Sequence, residues 1–440
     1  YGKIIRSHNQ KKMKKLKYIL TLTLFISLGI FNALIAQVTY GPPEPPVGKR
    51  WILNEDFSDE FNGTELDSEK WFDYHPKWKG REPGIFLPSQ VSVKDGFLQI
   101  KGEKLKKDTI VKAYGRELKF NIAGGAVISK KAAFLGYFET RVKAAATTMS
   151  TTFWFSTVNS VKGPNGCDSY GLEWDIHESI GRGGDFKGNF FANGMNSNGH
   201  FWYTDCDGKK YDLRAPSVKF TNKDVSSKDF HVYGGWWKDE NTAISYYDKS
   251  APKQIKFYDK ILAKPFNQPM RMRLVSETYP FPWIELPTNE ELADPTKNTV
   301  YYDWVRGYDL VDVNEKDVDQ SYEIGLNLYD ESVVFSALDT DLEVNDELKI
   351  PISFKANKHR KIYIKVSEMT DRLKEKWNKK IFEKTIDVYP GYGNIEVVFN
   401  VDKKISKSAT YIVEALIREV NGESKPHEAL DLSTMFFTIH

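Results

Sequence analysis

A chain of 440 residues with 62 basic and 60 acidic side chains carries a net charge of +2, too small a surplus to neutralise a nucleic-acid backbone. Its length exceeds one compact core and predicts two domains besides any targeting segment. The 11 Trp and 23 Tyr join apolar faces to polar edges, which suits stacking on sugars as well as core packing.

From Met13, the cations Lys14, Lys15 and Lys17 precede an apolar run from Tyr18 to Ile35, and Ala36 is followed by polar residues. This is a signal-peptide pattern over residues 13–36, with cleavage expected near Ala36 and Gln37. Thr21, Thr23, Ser27, Gly29 and Asn32 dilute the run as a membrane span. The expectation is a secreted, periplasmic or cell-surface protein, monomeric and with no membrane contact after cleavage. Residues 37–48 contain Gly41-Pro42-Pro43-Glu44-Pro45-Pro46 and read as a polyproline-like spacer.

Over residues 49–312 short apolar runs alternate with Gly, Asn, Asp and Pro, without sustained helical period. QVSVKDGFLQIKG at 90–102 predicts a hairpin turning at Asp95-Gly96, and FLGYFETRVKAA at 134–145 and HVYGGWWK at 231–238 read as strands. The fold class is all-β: a β-jelly roll, or concanavalin-like sandwich, followed by a smaller C-terminal β-sandwich. Residues 313–321 read as a linker and 322–440 as the accessory module, with strands in IPISF, KIYIKV, IEVVFNV and ATYIVEALIREV and one helix around Asp371–Lys379. The module carries no catalytic pattern; sugar binding and a purely structural role both stay open. Cys167 and Cys206 are the two cysteines, and an oxidising compartment permits a disulfide, with two free thiols as the alternative.

The chemistry concentrates in Glu173-Trp174-Asp175-Ile176-His177-Glu178, three carboxylates in six residues. Phe153, Trp154, Phe155, Leu172 and Ile180 surround them with apolar text that a solvated acidic strand would not have. If Trp174 and Ile176 pack inward, Glu173 and Asp175 face outward, and strict alternation sends Glu178 to the wrong side. One β-bulge near Ile176 or His177 returns it to the face of Glu173. Four effective steps of about 3.3 Å then separate the two Cα atoms by roughly 13 Å, and converging side chains bring the carboxylates toward the roughly 5–5.5 Å of a retaining glycosidase. Glu173 is assigned as nucleophile, Glu178 as acid/base, and Asp175 as the group that orients Glu173 and helps keep the acid protonated.

This strand resembles that of glycoside hydrolase family 16, in which Glu, any residue, Asp, two residues and Glu follow in that order. EDFSDEFNGTELDSEKW at 55–71, GGAVISKKAAFLGYFETRVKAA at 124–145 and YYDWVRGYDL at 301–310 extend the likeness over about 51–310. HPKWKGREPGIF, TTMSTTFWF and LPTNEELADPTKNTVYYDWVR look most like the branch acting on red-algal galactans, the agarases, porphyranases and carrageenases. The resemblance implies an open cleft, retention of configuration and endo-cleavage of β-1,4 galactosidic bonds in a sulfated or neutral galactan. Alternatives are a carrageenase, a β-1,3-glucanase or transglycosylase with the same machinery, and a non-catalytic lectin on the same fold.

Trp78 and Arg81 occupy a Gly- and Pro-bounded loop that suits a cleft wall, Trp78 stacking on a sugar and Arg81 pairing with a sulfate. The resemblance places Trp154 beside the nucleophile, with core packing as the alternative for it and more so for Trp237. His177 inside the bulge is a candidate for the cleft or the core. Arg273 and Glu277 are candidates from a late strand, and Arg182, His200 and Trp202 from the loop after the site. Catalysis requires no cofactor, and Asp303 beside Trp304 is a candidate ligand for a structural Ca²⁺ on the convex face.

Overall fold

The structure, a computed structural model, describes residues 41–316, 331–336, 341–343, 346–371, 376–401, 410–423 and 428–439. The signal-peptide pattern and the linker from residue 317 onward lie outside the described residues.

Two large antiparallel sheets pack face to face. The convex sheet orders its strands Lys253–Lys256, Thr242–Tyr247, His231–Asp239, Gly136–Lys143, Thr299–Asp312 and Lys49–Asp59. The concave sheet orders Lys210–Arg214, Met195–Thr204, Ser169–Ser179, Thr151–Thr157, Met270–Ser276, Arg116–Ser129 and Trp71–Phe72. Period-two alternation explains the filling between them: Leu172, Trp174, Phe153, Phe155, Met272 and Leu274 point inward to meet Phe138, Tyr233 and Trp237. Asp95 and Gly96 both take positive φ, 56° and 79°, as a two-residue hairpin turn between Val91–Lys94 and Phe97–Lys101 requires.

The C-terminal module is a second sandwich built partly on the first. Gly391–Asn400, Glu347–Ala356 and Ser332–Phe335 extend the convex sheet, and a further sheet covers them over a core including Ile350, Phe354, Ile364 and Val413. The join is the pairing of Arg50 with Gly393 and of Trp51 with Tyr392. The Pro-rich segment is no free spacer. Pro43 O accepts from Trp51 Nε1 at 2.7 Å, and Asn394 Nδ2 donates to Pro45 O at 2.9 Å and to Glu44 Oε1 at 2.8 Å. A polyproline backbone leaves its carbonyls without internal partners, so they accept from elsewhere. The helix expected around Asp371–Lys379 is also corrected: Asp371 ends one strand and pairs with Lys376, which begins the next. The ribbon continues a ladder that starts at the pair Arg360 and Val388, on either side of this stretch in the chain, and its pairing overrides the local polar composition.

Cys167 and Cys206 form a disulfide across 39 residues, with Cα atoms 5.0 Å apart. It ties the entry of the Ser169–Ser179 strand to the exit of its neighbour Met195–Thr204 and contributes about 4 kcal/mol by loop closure.

Beneath the carboxylate strand, Gly235 makes room: a Cβ there would lie 2.6 Å from Trp174 Cζ2 and 3.0 Å from Ile176 Cγ1. Gly235→Ala should destabilise the fold by about 1–3 kcal/mol and lower turnover as the strand is pushed outward. Thermal unfolding and initial rates check this; an unchanged melting midpoint would show that the strand yields freely.

Candidate active site

The carboxylate strand carries the bulge its sequence demands. Asp175 pairs with Trp154 and His177 with Phe153, so Ile176 is the extra residue on that side. On the other side Asp175 pairs with Asn198 and Glu178 with Asn196, again one residue out of step. Ile176 and His177 are both fully buried, and Glu178 emerges half-buried like Glu173. Ser197 Oγ donates to the Asp175 carbonyl at 2.7 Å and Asn196 Nδ2 to the Glu178 carbonyl at 3.0 Å, supplying partners where the ladder is interrupted.

Two depressions meet over Glu173, Asp175 and Glu178. One is walled by His75, Lys77, Trp78, Trp154, Arg271 and Arg273. The other is walled by Asn198, His200, Arg214, Phe281 and Trp283, while Arg81, Trp202 and Tyr279 border both. Trp154 lies beneath the Arg273 guanidinium, 4.7 Å from its ring centre, and Arg81 sits over the rings of Trp78 and Phe281 at 5.4 and 4.9 Å.

Burial dominates the electrostatics. It pushes Glu173 up to about 7, with the Asp175 charge adding to the rise, and pushes Asp175 up to about 6, with Glu178 adding. Burial also raises Glu178, opposed by a 2.6 Å hydrogen bond from Tyr279 Oη. Glu277 is held near 7 by burial despite Arg81, whose Nε meets its Oε2 at 3.0 Å. His200 supplies the opposing charge. Its Nε2 lies 3.1 Å from Asp175 Oδ2 and its Nδ1 2.8 Å from Asp212 Oδ1. Burial opposes protonation there, but the two carboxylate bonds outweigh it and raise His200 to about 10. Trp202 stacks on its ring at 5.0 Å.

Glu173, Asp175 and His200 bring ligand atoms within 4.8 Å of one another. An imidazolium has no lone pair to offer a metal, so at neutral pH this set holds a proton where a cation would sit. The Asp303 carboxylate pairs with Arg141, and it belongs to no group of three His, Cys, Asp or Glu ligands among the described residues.

With this geometry in view, residues 51–310 match the model of the family described as Beta-porphyranase A-D, GH16 domain. The chain belongs to glycoside hydrolase family 16. It is therefore an enzyme that hydrolyses glycosidic bonds. Residues 333–429 match the Porphyranase-associated domain. Beta-porphyranase D of Zobellia galactanivorans is 58% identical over 406 residues, 92% of this chain and 93% of that protein. Beta-porphyranase B of Phocaeicola plebeius is 41% identical over 288 residues, 62% of this chain and 89% of that one. Among solved structures, the beta-porphyranase BpGH16B of Bacteroides plebeius superposes with a TM-score of 0.57 at 41% identity, covering 62% of this chain and 96% of that chain.

Within this member of the family, the expected wall residues Trp78, Arg81, Trp154, Arg273 and Glu277 all reach the cleft. Three expectations are revised. His177 faces the core, stacked 3.5 Å from the Tyr233 ring, because the bulge that turns Glu178 outward turns its predecessor inward. Arg182 is committed to Glu291 at 2.6 and 2.5 Å and to Glu285 at 3.0 Å, in a depression apart from the carboxylates. His200 and Trp202 lie not in a loop but on the neighbouring strand, opposite Glu173 and Gly171. Trp237 is core, 6.2 Å from Trp174. Sequence reasoning missed Lys77, Asp212, Arg271, Tyr279 and the Phe281–Trp283 wall; the alternation of Arg271 with Arg273 was the available signal.

Because His200 is raised from 6.5 to about 10, the stability it contributes is fully present below 6.5 and lost as pH rises through 10. His200→Gln should flatten the fall in thermal midpoint between about pH 7 and pH 10.5. Parallel curves for the two proteins would remove the imidazolium from this account.

Proposed function

We propose that the chain is an endo-acting, retaining hydrolase of β-1,4 galactosidic bonds in porphyran. The observation that carries the mechanism is the bulge, which sets Glu173 and Glu178 on one face of one strand with Asp175 between them. Glu173 attacks the anomeric carbon while Glu178 protonates the departing glycosidic oxygen. Water, deprotonated by Glu178, then releases the sugar from Glu173 with a second inversion. The three crowded carboxylates and the His200 cation favour one shared proton in the resting site, and the hydrogen bond from Tyr279 Oη holds the Glu178 carboxylate in place while opposing its protonation.

The choice of galactan rests on the relatives, which are named beta-porphyranases over the matched region. Arg81 supports a sulfated sugar. Its Nε is engaged by Glu277, and its guanidinium lies over the rings of Trp78 and Phe281 in the cleft wall. Export to the outside of the cell, by the pattern at 13–36, accords with a polymeric substrate and with the Cys167–Cys206 bond.

Reducing-end release from porphyran, agarose, κ-carrageenan and laminarin tests the reading: porphyran should be cut fastest. Binding to one polymer without release from any would make the protein a lectin. Glu173→Gln and Glu178→Gln should each lower kcat by about 10³-fold or more with folding intact, and substantial residual turnover would overturn their roles. Arg81→Ala should cost roughly 10- to 100-fold in kcat/KM on sulfated substrate and much less on agarose, with Glu277 protonating once unpaired. Equal losses on both polymers would reject the sulfate contact.

A further inference from the structure

The concave sheet continues beyond the depression walled by Arg273. Across the concave sheet from Glu173 the ladder runs through Trp154 and Ser156, then Arg273 and Arg271, then Ile128, then Phe72. Ile128 lines the cleft, and Phe72, paired with it, continues the same face one strand further out. Phe72 is half-buried, and two cations sit on its ring: Arg271 at 5.5 Å and Lys130 at 5.3 Å. Tyr74 packs against it at 5.4 Å and is 44% exposed.

Several cations gather along this side of the cleft. Lys131 pairs with Asp56 and Lys70 with Glu55, but Lys77, Lys130, Arg271 and Arg273 form no ion pair with a carboxylate among the described residues. Lys77 Nζ donates to Val158 O and Asn159 Oδ1, and the buried Nε of Arg271 has no hydrogen-bond partner among the described residues. His75, which stands among them, is held near 3 by burial and by the charges of Arg273, Lys77 and Arg271. Lys77, Lys130 and Arg271 thus form a group of cations without carboxylate partners among the described residues, and such a surface attracts an anion. The paired cations on aromatic rings fit a ligand that alternates flat apolar sugar faces with fixed negative groups.

We propose that Phe72, Tyr74, Lys130 and Arg271 form a distal subsite that takes a sulfated sugar of the same chain, several units from the bond being cut. Four strand spacings of about 4.8 Å place Phe72 about 19 Å from the carboxylate strand. The proposal rests on the galactanase reading for its ligand, and its consequence is a preference for long, sulfated chains over short ones.

Lys130→Gln, Tyr74→Ala and the double variant test it, because none of these side chains belongs to the carboxylate centre. The double variant should lose roughly tenfold in kcat/KM on porphyran, with kcat little changed. A short oligosaccharide that fills only the central cleft should be cut within about twofold of the parent rate. Lys130→Gln should be silent on a chemically desulfated polymer and should weaken the salt dependence on the native one. Equal losses on short and long substrates, or none on porphyran, would overturn the subsite. Electrophoretic retention in porphyran-containing gels reads binding without turnover. A parent protein that cuts no galactan would refute the hydrolase reading alone, and the subsite would then stand or fall on whether the double variant is retained less.

Discussion

The extra residue at Ile176 is the constraint around which the active site is built. A regular strand would send every second side chain to the core, and Glu178 with them. Inserting one residue makes two consecutive side chains, Ile176 and His177, point inward, and the opposite sheet must accept both. It does so by leaving Gly235 bare beneath Trp174 and Ile176 and by laying Tyr233 flat against His177. The interrupted ladder is repaired by side chains from the neighbouring strand, Ser197 and Asn196. Ser245 Oγ donates to Ser197 Oγ at 3.2 Å, which links the convex sheet to this repair through the core.

The bulge also creates an electrostatic problem, since it concentrates three carboxylates on a face where burial already disfavours charge. His200 answers it from the adjacent strand, and Asp212 behind His200 keeps that imidazole charged by bonding its other nitrogen. Arg273 adds a second positive charge, although burial and Arg271 lower its own pKa to about 10. The site thus holds its protons through geometry from three strands, and the carboxylate strand alone does not determine the protonation of any one Glu.

What was legible in the sequence divides along the range of the interactions. The strand, its bulge and the three carboxylates could be read because alternation and its violation are local. The Asp95-Gly96 hairpin was readable for the same reason. Partners across the fold were not. Arg182 looks like any loop arginine until Glu285 and Glu291, over a hundred residues away, claim it. Nothing local to Asp303 announces its ion pair with Arg141, more than a hundred residues away. His177 could be placed only once the side of the extra residue was known, and the stretch at Asp371–Lys379 took its conformation from a ladder whose register is set elsewhere.

The same reasoning explains the joint between the two sandwiches. Lys49–Asp59 would be an exposed edge of the convex sheet on the side where it meets the C-terminal module, and a bare edge invites pairing with other chains. Gly391–Asn400 covers it. The approach is so close that a Cβ at Gly391 would lie 2.2 Å from Trp51 O, and its φ of 137° is one that glycine adopts without strain. Arg50, fully buried, donates from Nη1 to Pro390 O and from Nη2 to Glu315 O, so a charged side chain is taken out of water where the module and the segment leading to it supply acceptors. The proline segment closes over the same seam through Trp51 and Asn394. A module held this way adds stability to the strand that pairs with Thr299–Asp312, the strand against which Gly136–Lys143 and His231–Asp239 are stacked in order. The sheet that accommodates the bulge is therefore anchored at its far edge by the accessory module, whatever that module's outer surface binds.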